Sequence, residues 1–147
     1  MTTTDTPAVR PTGIHHVRLT VTDIVRSKAF YQDVFGVEPA VDFSAQAGDP
    51  GVREDQEKLY GGCVFAVGDQ LLGLRPVAET GDRFVSTRVG LDHVSLQVGS
   101  RADLDDAAER LSARGVEHGE VLELDQGIAV LSLQDPDDIN LELTAPL

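Results

Sequence analysis

The segment GIHHVRLTV at residues 13–21 returns as GLDHVSLQV at residues 90–98, an offset of 77 residues. Each copy places an aliphatic side chain at every second position, Val17, Leu19 and Val21 in the first and Val94, Leu96 and Val98 in the second. That period of two marks a half-buried β-strand. A chain that writes one strand twice is constrained to build one unit twice.

The flanking sequence extends the duplication. DIVRSKAFYQDVF follows the first strand and ADLDDAAERLSAR the second, and both read as amphipathic helices. Asp23 can cap the first, with Val25, Ala29, Phe30 and Val34 on its inner stripe and Tyr31 and Phe30 among its core contacts; Ser100 or Asp103 can cap the second, with Leu104, Ala107, Ala108 and Leu111 inward. Both helices run into Gly-Val-Glu, as Gly36-Val37-Glu38 and Gly115-Val116-Glu117, where glycine suits the left-handed residue that ends a helix. Three further strands follow in each half: VEPAVDF, CVFAV and QLLGLRPV, then VEHGEVLEL, GIAVLSL and INLELTAP. The expected fold is α+β, two βαβββ modules forming a cupped, barrel-like mixed sheet. Residues 1–12 read as a flexible tail, 13–76 as the first module, 77–89 as a polar connector and 90–147 as the second module, the two modules making one domain. A long segment, SAQAGDPGVREDQEKLYGG, interrupts the first module with some helical tendency around residues 54–59.

Twenty-five acidic against twelve basic residues give a net charge of −13. Such a field repels nucleic acid and anionic membrane and attracts cations, so neither is an expected partner. No apolar run approaches the ~20 residues of a membrane span, and the first dozen residues lack the basic and apolar parts of a signal peptide. A cytoplasmic location follows. The single Cys63 excludes an intrachain disulfide and a cysteine-rich zinc site, and reads as a small buried residue.

If the aliphatic set of each repeated strand faces the helices, the alternate set faces the cup. From the first strand these are His16, Arg18 and Thr20; from its repeat, His93, Ser95 and Gln97. In INLELTAP, Leu141 and Leu143 point inward, leaving Asn140, Glu142 and Thr144 on the cup face; the matched position in the first half is Gly73. A carboxylate between two core leucines is costly unless something pairs with it. His16, His93 and Glu142 have the composition of a two-histidine, one-carboxylate facial triad, which suits Fe(II) or Mn(II), with zinc also possible. Arg18 and Arg75 are candidates for an anionic substrate group, Thr20, Ser95 and Gln97 for polar contacts to substrate, and Tyr60 for a catalytic proton donor, with ring packing its alternative role. His15 is expected to face away from the cup in a structural role, and His118 to lie at the surface.

The motifs HHVRLTVTD, AFYQDVFGVEP, LDHVSLQV and LQDPDDINLELTAP together resemble the vicinal oxygen chelate superfamily, which holds glyoxalases, fosfomycin-modifying enzymes, bleomycin-resistance proteins, epimerases and extradiol dioxygenases. The resemblance implies that His16, His93 and Glu142 are metal ligands and that the protein is a homodimer acting on a small molecule. Glyoxalases and epimerases of this superfamily place a fourth ligand where this chain has Gly73. The implied function is therefore a metal-dependent enzyme on an oxygen-chelating metabolite, leaning to oxygenation because the triad is open. The alternatives are lyase, isomerase or glyoxalase-type transferase chemistry, or non-catalytic sequestration of a cationic drug as in the bleomycin-resistance branch.

Overall fold

The computed structural model describes residues 5–147; the first four residues of the expected tail lie outside it. Residues 5–12 are exposed and form no helix or strand. The first half runs β1 (His16–Thr20), α1 (Ile24–Phe35), β2 (Pro39–Asp42), β3 (Cys63–Val67) and β4 (Gln70–Arg75). The second repeats it as β5 (Val94–Gln97), α2 (Arg101–Ala113), β6 (Leu122–Leu124), β7 (Ile128–Gln134) and β8 (Asn140–Pro146). Each half makes its own four-stranded sheet, in the order β1-β4-β3-β2 and β5-β8-β7-β6. The pairs β1–β4 and β5–β8 are parallel and the others antiparallel. The sheets are cupped and do not join into a closed barrel.

Register bears out the internal match. Arg18 pairs with Gly73 in the first sheet and Ser95 with Glu142 in the second, so Gly73 stands where the other half has its carboxylate. Two strands are shorter than their sequence patterns predict, β2 being Pro39–Asp42 of VEPAVDF. Only Leu122–Leu124 of VEHGEVLEL joins β7, while His118 makes a single bridge to Leu133. Gly119 lies between them, where a Cβ would stand 2.7 Å from Ser132 Oγ. The long segment before β3 folds as short 3₁₀ turns, at Ser44–Gln46, Val52–Glu54 and Gln56–Gly61.

Asp23 caps α1 by accepting from the Val25 and Arg26 N–H groups, and Ser100 caps α2 by accepting from Asp103 N–H. Gly36 (φ 65°) and Gly115 (φ 70°) turn the chain out of the two helices. Tyr31 and Phe30 make the expected core contacts, but the rest of the α1 stripe differs from expectation. Ile24, Ser27 and Tyr31 are buried, Phe30 and Val34 pack partly, and Val25 and Ala29 face solvent. The helix begins at Ile24, so its inward face is set one residue earlier than the aliphatic pattern implied. A tyrosine can occupy the centre because its hydroxyl has an acceptor: Tyr31 donates to Asp135 Oδ2 at 2.9 Å.

That bond crosses from one half of the chain to the other. Asp135 lies in the turn between β7 and β8, where its Oδ1 also accepts from the Asp137 and Ile139 N–H groups. Asp137, equally buried, accepts from Thr22 N–H, Thr22 Oγ1 and Arg26 Nη2. The helix-covered faces of both sheets share one core that includes Leu19, Phe65 and Leu74 from the first half and Leu104, Leu131 and Leu141 from the second. The modules are therefore joined through their helix sides, and their open faces look outward.

Tyr31→Phe should cost about 1 kcal/mol of unfolding free energy. Asp135→Ala, which strands three donors, should cost about 3 kcal/mol or more; urea titration reads both. Burial holds the Asp135 carboxyl above the usual 3.8, against the pull of its donors. Ionising it costs more in the folded than in the unfolded chain, so stability falls as pH rises from about that value through the folded-state pKa. Asp135→Asn should remove this slope. Burial, reinforced by Asp42 and eased by Lys28, pushes the Cys63 thiol up to about 12. Cys63 should accordingly resist thiol reagents in the native protein and react at the rate of unfolding.

Candidate metal centre

His16, Arg18 and Thr20 all lie exposed on the open face of the first sheet, and His93, Ser95 and Gln97 on that of the second. The alternation read from the repeated strands holds. Glu142 sits between the buried Leu141 and Leu143 and points the other way, half-buried beside His93. His93 Nε2 and Glu142 Oε1 are 3.6 Å apart, a separation that one cation could bridge. They line a hollow of ≈340 Å³ with Asp92, Ser132, Gln134, Asn140 and Leu141.

The surroundings orient both groups. His93 Nδ1 donates to Asp92 Oδ1 at 2.7 Å, which assigns the proton to Nδ1 and leaves the Nε2 lone pair turned towards Glu142. Thr144 Oγ1 donates to Glu142 Oε1 at 3.2 Å, and Ser95 is hydrogen-bonded to Thr144. Ser95, expected to meet substrate, thus belongs to a chain that steers the carboxylate. Sequence reasoning placed Thr144 on the cup face but assigned no role to it or to Asp92. The signal was present in their spacing, since each stands next to, or one pleat from, a predicted ligand.

On the other sheet, His15 and His16 meet through their Nδ1 atoms at 2.9 Å with rings edge to face. His15 occupies the place that Asp92 has in the repeat. It is exposed and engages its neighbour, where a structural role away from the cup was expected. His118 is also corrected: it is half-buried, donating from Nδ1 to Gly119 O and accepting at Nε2 from Ser112 Oγ. Tyr60 lies over Arg75, whose Cζ is 3.7 Å from the ring centroid.

Within one chain the expected convergence is incomplete. His93 and Glu142 come together, but His16 remains on the first sheet. Among the described residues no three His, Cys, Asp or Glu side chains are grouped closely enough to hold a metal ion. A larger hollow, ≈590 Å³, lies elsewhere, at the start of α1 beside Thr22, Arg26, Arg53 and Asp137. The donor chemistry nonetheless fits a divalent cation: a neutral imidazole with its far nitrogen tied down, and a hydrogen-bonded carboxylate facing it. The open faces also expose apolar side chains, Val41 (46%) on one and Leu122 (54%) and Leu124 (38%) on the other.

A duplicated βαβββ fold with two cupped, open-faced sheets and histidines at equivalent first-strand positions defines the class of protein this chain belongs to by architecture. The chain belongs to the Glyoxalase/Bleomycin resistance protein/Dioxygenase superfamily, whose family model matches residues 13–143. It is 28% identical to a glyoxylase/bleomycin resistance protein/dioxygenase domain from Frankia sp. EAN1pec, with a TM-score of 0.72 and 94% of each chain covered. A variant of the fosfomycin resistance protein FosX from Listeria monocytogenes, solved with Mn(II) and 1S,2S-dihydroxypropylphosphonic acid, is 22% identical (TM-score 0.69; 94% of this chain and 95% of that one). Lactoylglutathione lyase from Agrobacterium tumefaciens is 20% identical (TM-score 0.64; 92% and 94%). At these last identities the likeness is one of fold. No curated protein matches the chain. Among the described residues no helix is long and apolar enough to cross a membrane.

Proposed function

We propose that the protein is a metal-dependent enzyme of this superfamily, and that its centre is shared between two copies of the chain: His16 from one, His93 and Glu142 from the other. The observation that carries the reading is the pair His93–Glu142, held 3.6 Å apart by Asp92 and Thr144 and lacking its third donor within the chain. His16, also with Nδ1 engaged, is that donor on a face of its own. Closing one open face over its counterpart in a second copy would cover Val41, Leu122 and Leu124 and exclude water from the site.

A bound divalent cation, Fe(II) or Mn(II) by preference and zinc as the alternative, would supply Lewis acidity to a substrate oxygen. This chain's residues do the rest. Asp92 keeps His93 in one tautomer, Thr144 and Ser95 steer Glu142, and Thr20 and Gln97 offer polar contacts to substrate. Tyr60 is the candidate proton donor. Gly73 contributes no fourth donor, so positions stay open for a chelating small molecule, and oxygenation is the reaction class this openness suits best. Sequestration of a cationic drug finds support in the net charge of −13 but not in the arginines that line the first sheet.

Wild-type protein refolded with Mn(II) should be dimeric and bind about one ion per chain. His16→Ala and Glu142→Ala should each abolish uptake. Mixing the two variants in equal amounts before refolding should restore about a quarter of it, because random pairing makes half of the dimers mixed and each mixed dimer regains one of its two sites. A wild-type protein that binds no metal, or variants that fail to complement, would sink the shared centre.

A further inference from the structure

β1 and β4 lie side by side with Arg18 opposite Gly73 and Thr20 opposite Arg75. The two arginines therefore occupy the same open face as His16. Because residue 73 has no side chain, the stem of Arg18 lies across it: a Cβ at Gly73 would stand 3.3 Å from Arg18 Cγ and 3.4 Å from its Nε. Arg75 is held from the other side by the Tyr60 ring at 3.7 Å. Its Nε is cut off from solvent and has no acceptor.

The chain accepts backbone strain to build this. Leu59 (φ 49°) and Tyr60 (φ 58°) are both left-handed, a conformation rare for side chains of their size. The glycines that follow are seated against backbone. A Cβ at Gly62 would lie 1.9 Å from Leu74 O, and one at Gly61 2.9 Å from Ala47 Cα. Arg26, Arg83, Arg101 and Arg114 each meet a carboxylate, while Arg10, Arg53, Arg88 and Arg110 form no ion pair among the described residues; what sets Arg75 apart is its buried, acceptorless Nε under the Tyr60 ring. In a chain of net charge −13, Arg18 and Arg75 form no ion pair or side-chain hydrogen bond among the described residues. A guanidinium braced by a ring, with a desolvated donor lacking an acceptor, is a preorganised site for an oxyanion.

We infer that Arg18 and Arg75 form an oxyanion-binding arm beside the metal centre, and that the substrate carries a carboxylate- or phosphonate-type group at the end remote from its chelating oxygens. The position of that arm next to a metal rests on the function proposed above. At ~3.3 Å per residue, Arg18 is ~7 Å along β1 from His16 and the rung of Arg75 ~13 Å, so the molecule is compact. Its anion reaches the arginines while its other oxygens meet the centre.

The test uses the metal-free full chain with inorganic phosphate and acetate as probes, at constant ionic strength against chloride. Saturable upward shifts in melting temperature are expected, larger for phosphate if the arm prefers a tetrahedral group and for acetate if it prefers a planar one. Arg75→Gln and Arg18→Gln should weaken apparent affinity about tenfold or more. The exposed Arg18 serves if the Arg75 variant does not fold. His93→Ala, which removes metal uptake, should leave the anion shift intact. Shifts no larger than with chloride, or equal shifts in the arginine variants, overturn the arm even where Mn(II) binding is normal. Normal anion binding without Mn(II) uptake overturns the metal reading instead.

Discussion

The turn between β7 and β8 fixes the arrangement on which the rest of the molecule depends. Two carboxylates lie buried there, and the groups that satisfy them come largely from the other module: the Tyr31 hydroxyl, Thr22 and Arg26. Buried carboxylates are tolerated only when their oxygens are paired, so neither module alone can bury this turn without loss. The dependence runs both ways, because Tyr31 at the centre of α1 needs an acceptor as much as Asp135 needs donors. The halves are therefore fastened helix side to helix side, and the sheets must present their open faces to whatever lies outside.

This explains the division of the candidate centre. A duplicated unit places His16 and His93 at equivalent points, but equivalence under an internal repeat does not decide which copies face each other. The interlocked turn decides it within the chain, against convergence. Each imidazole is nonetheless prepared in the same manner, its Nδ1 taken by the residue just before it, His15 in one module and Asp92 in the other. The two partners differ in charge, so the halves contribute unequal electrostatics to a common plan.

Most of the fold was legible from alternation and from the repeat. The period-two strands, the Asp23 cap, the glycine stops and the match of Gly73 to the position of Glu142 all follow from local rules and the repeat. What escaped was non-local. Nothing in DIVRSKAFYQDVF reveals that Tyr31 has an acceptor more than a hundred residues away, and without that acceptor Val25 looks the better core residue. The same holds at the site. Residue types and faces were readable, whereas the bond from Thr144 to Glu142 and the ring of Tyr60 over Arg75 depend on how neighbouring strands and a strained loop come together.

Gly73 links two properties usually considered apart. A longer side chain there would run into Arg18 as it now lies. On this pair of strands, an extra donor to a cation and an arginine reaching past it are thus competing uses of one small volume. A lineage that traded glycine for glutamate would exchange recognition of charge for a more saturated ion, and change its chemistry without touching any ligand already in place.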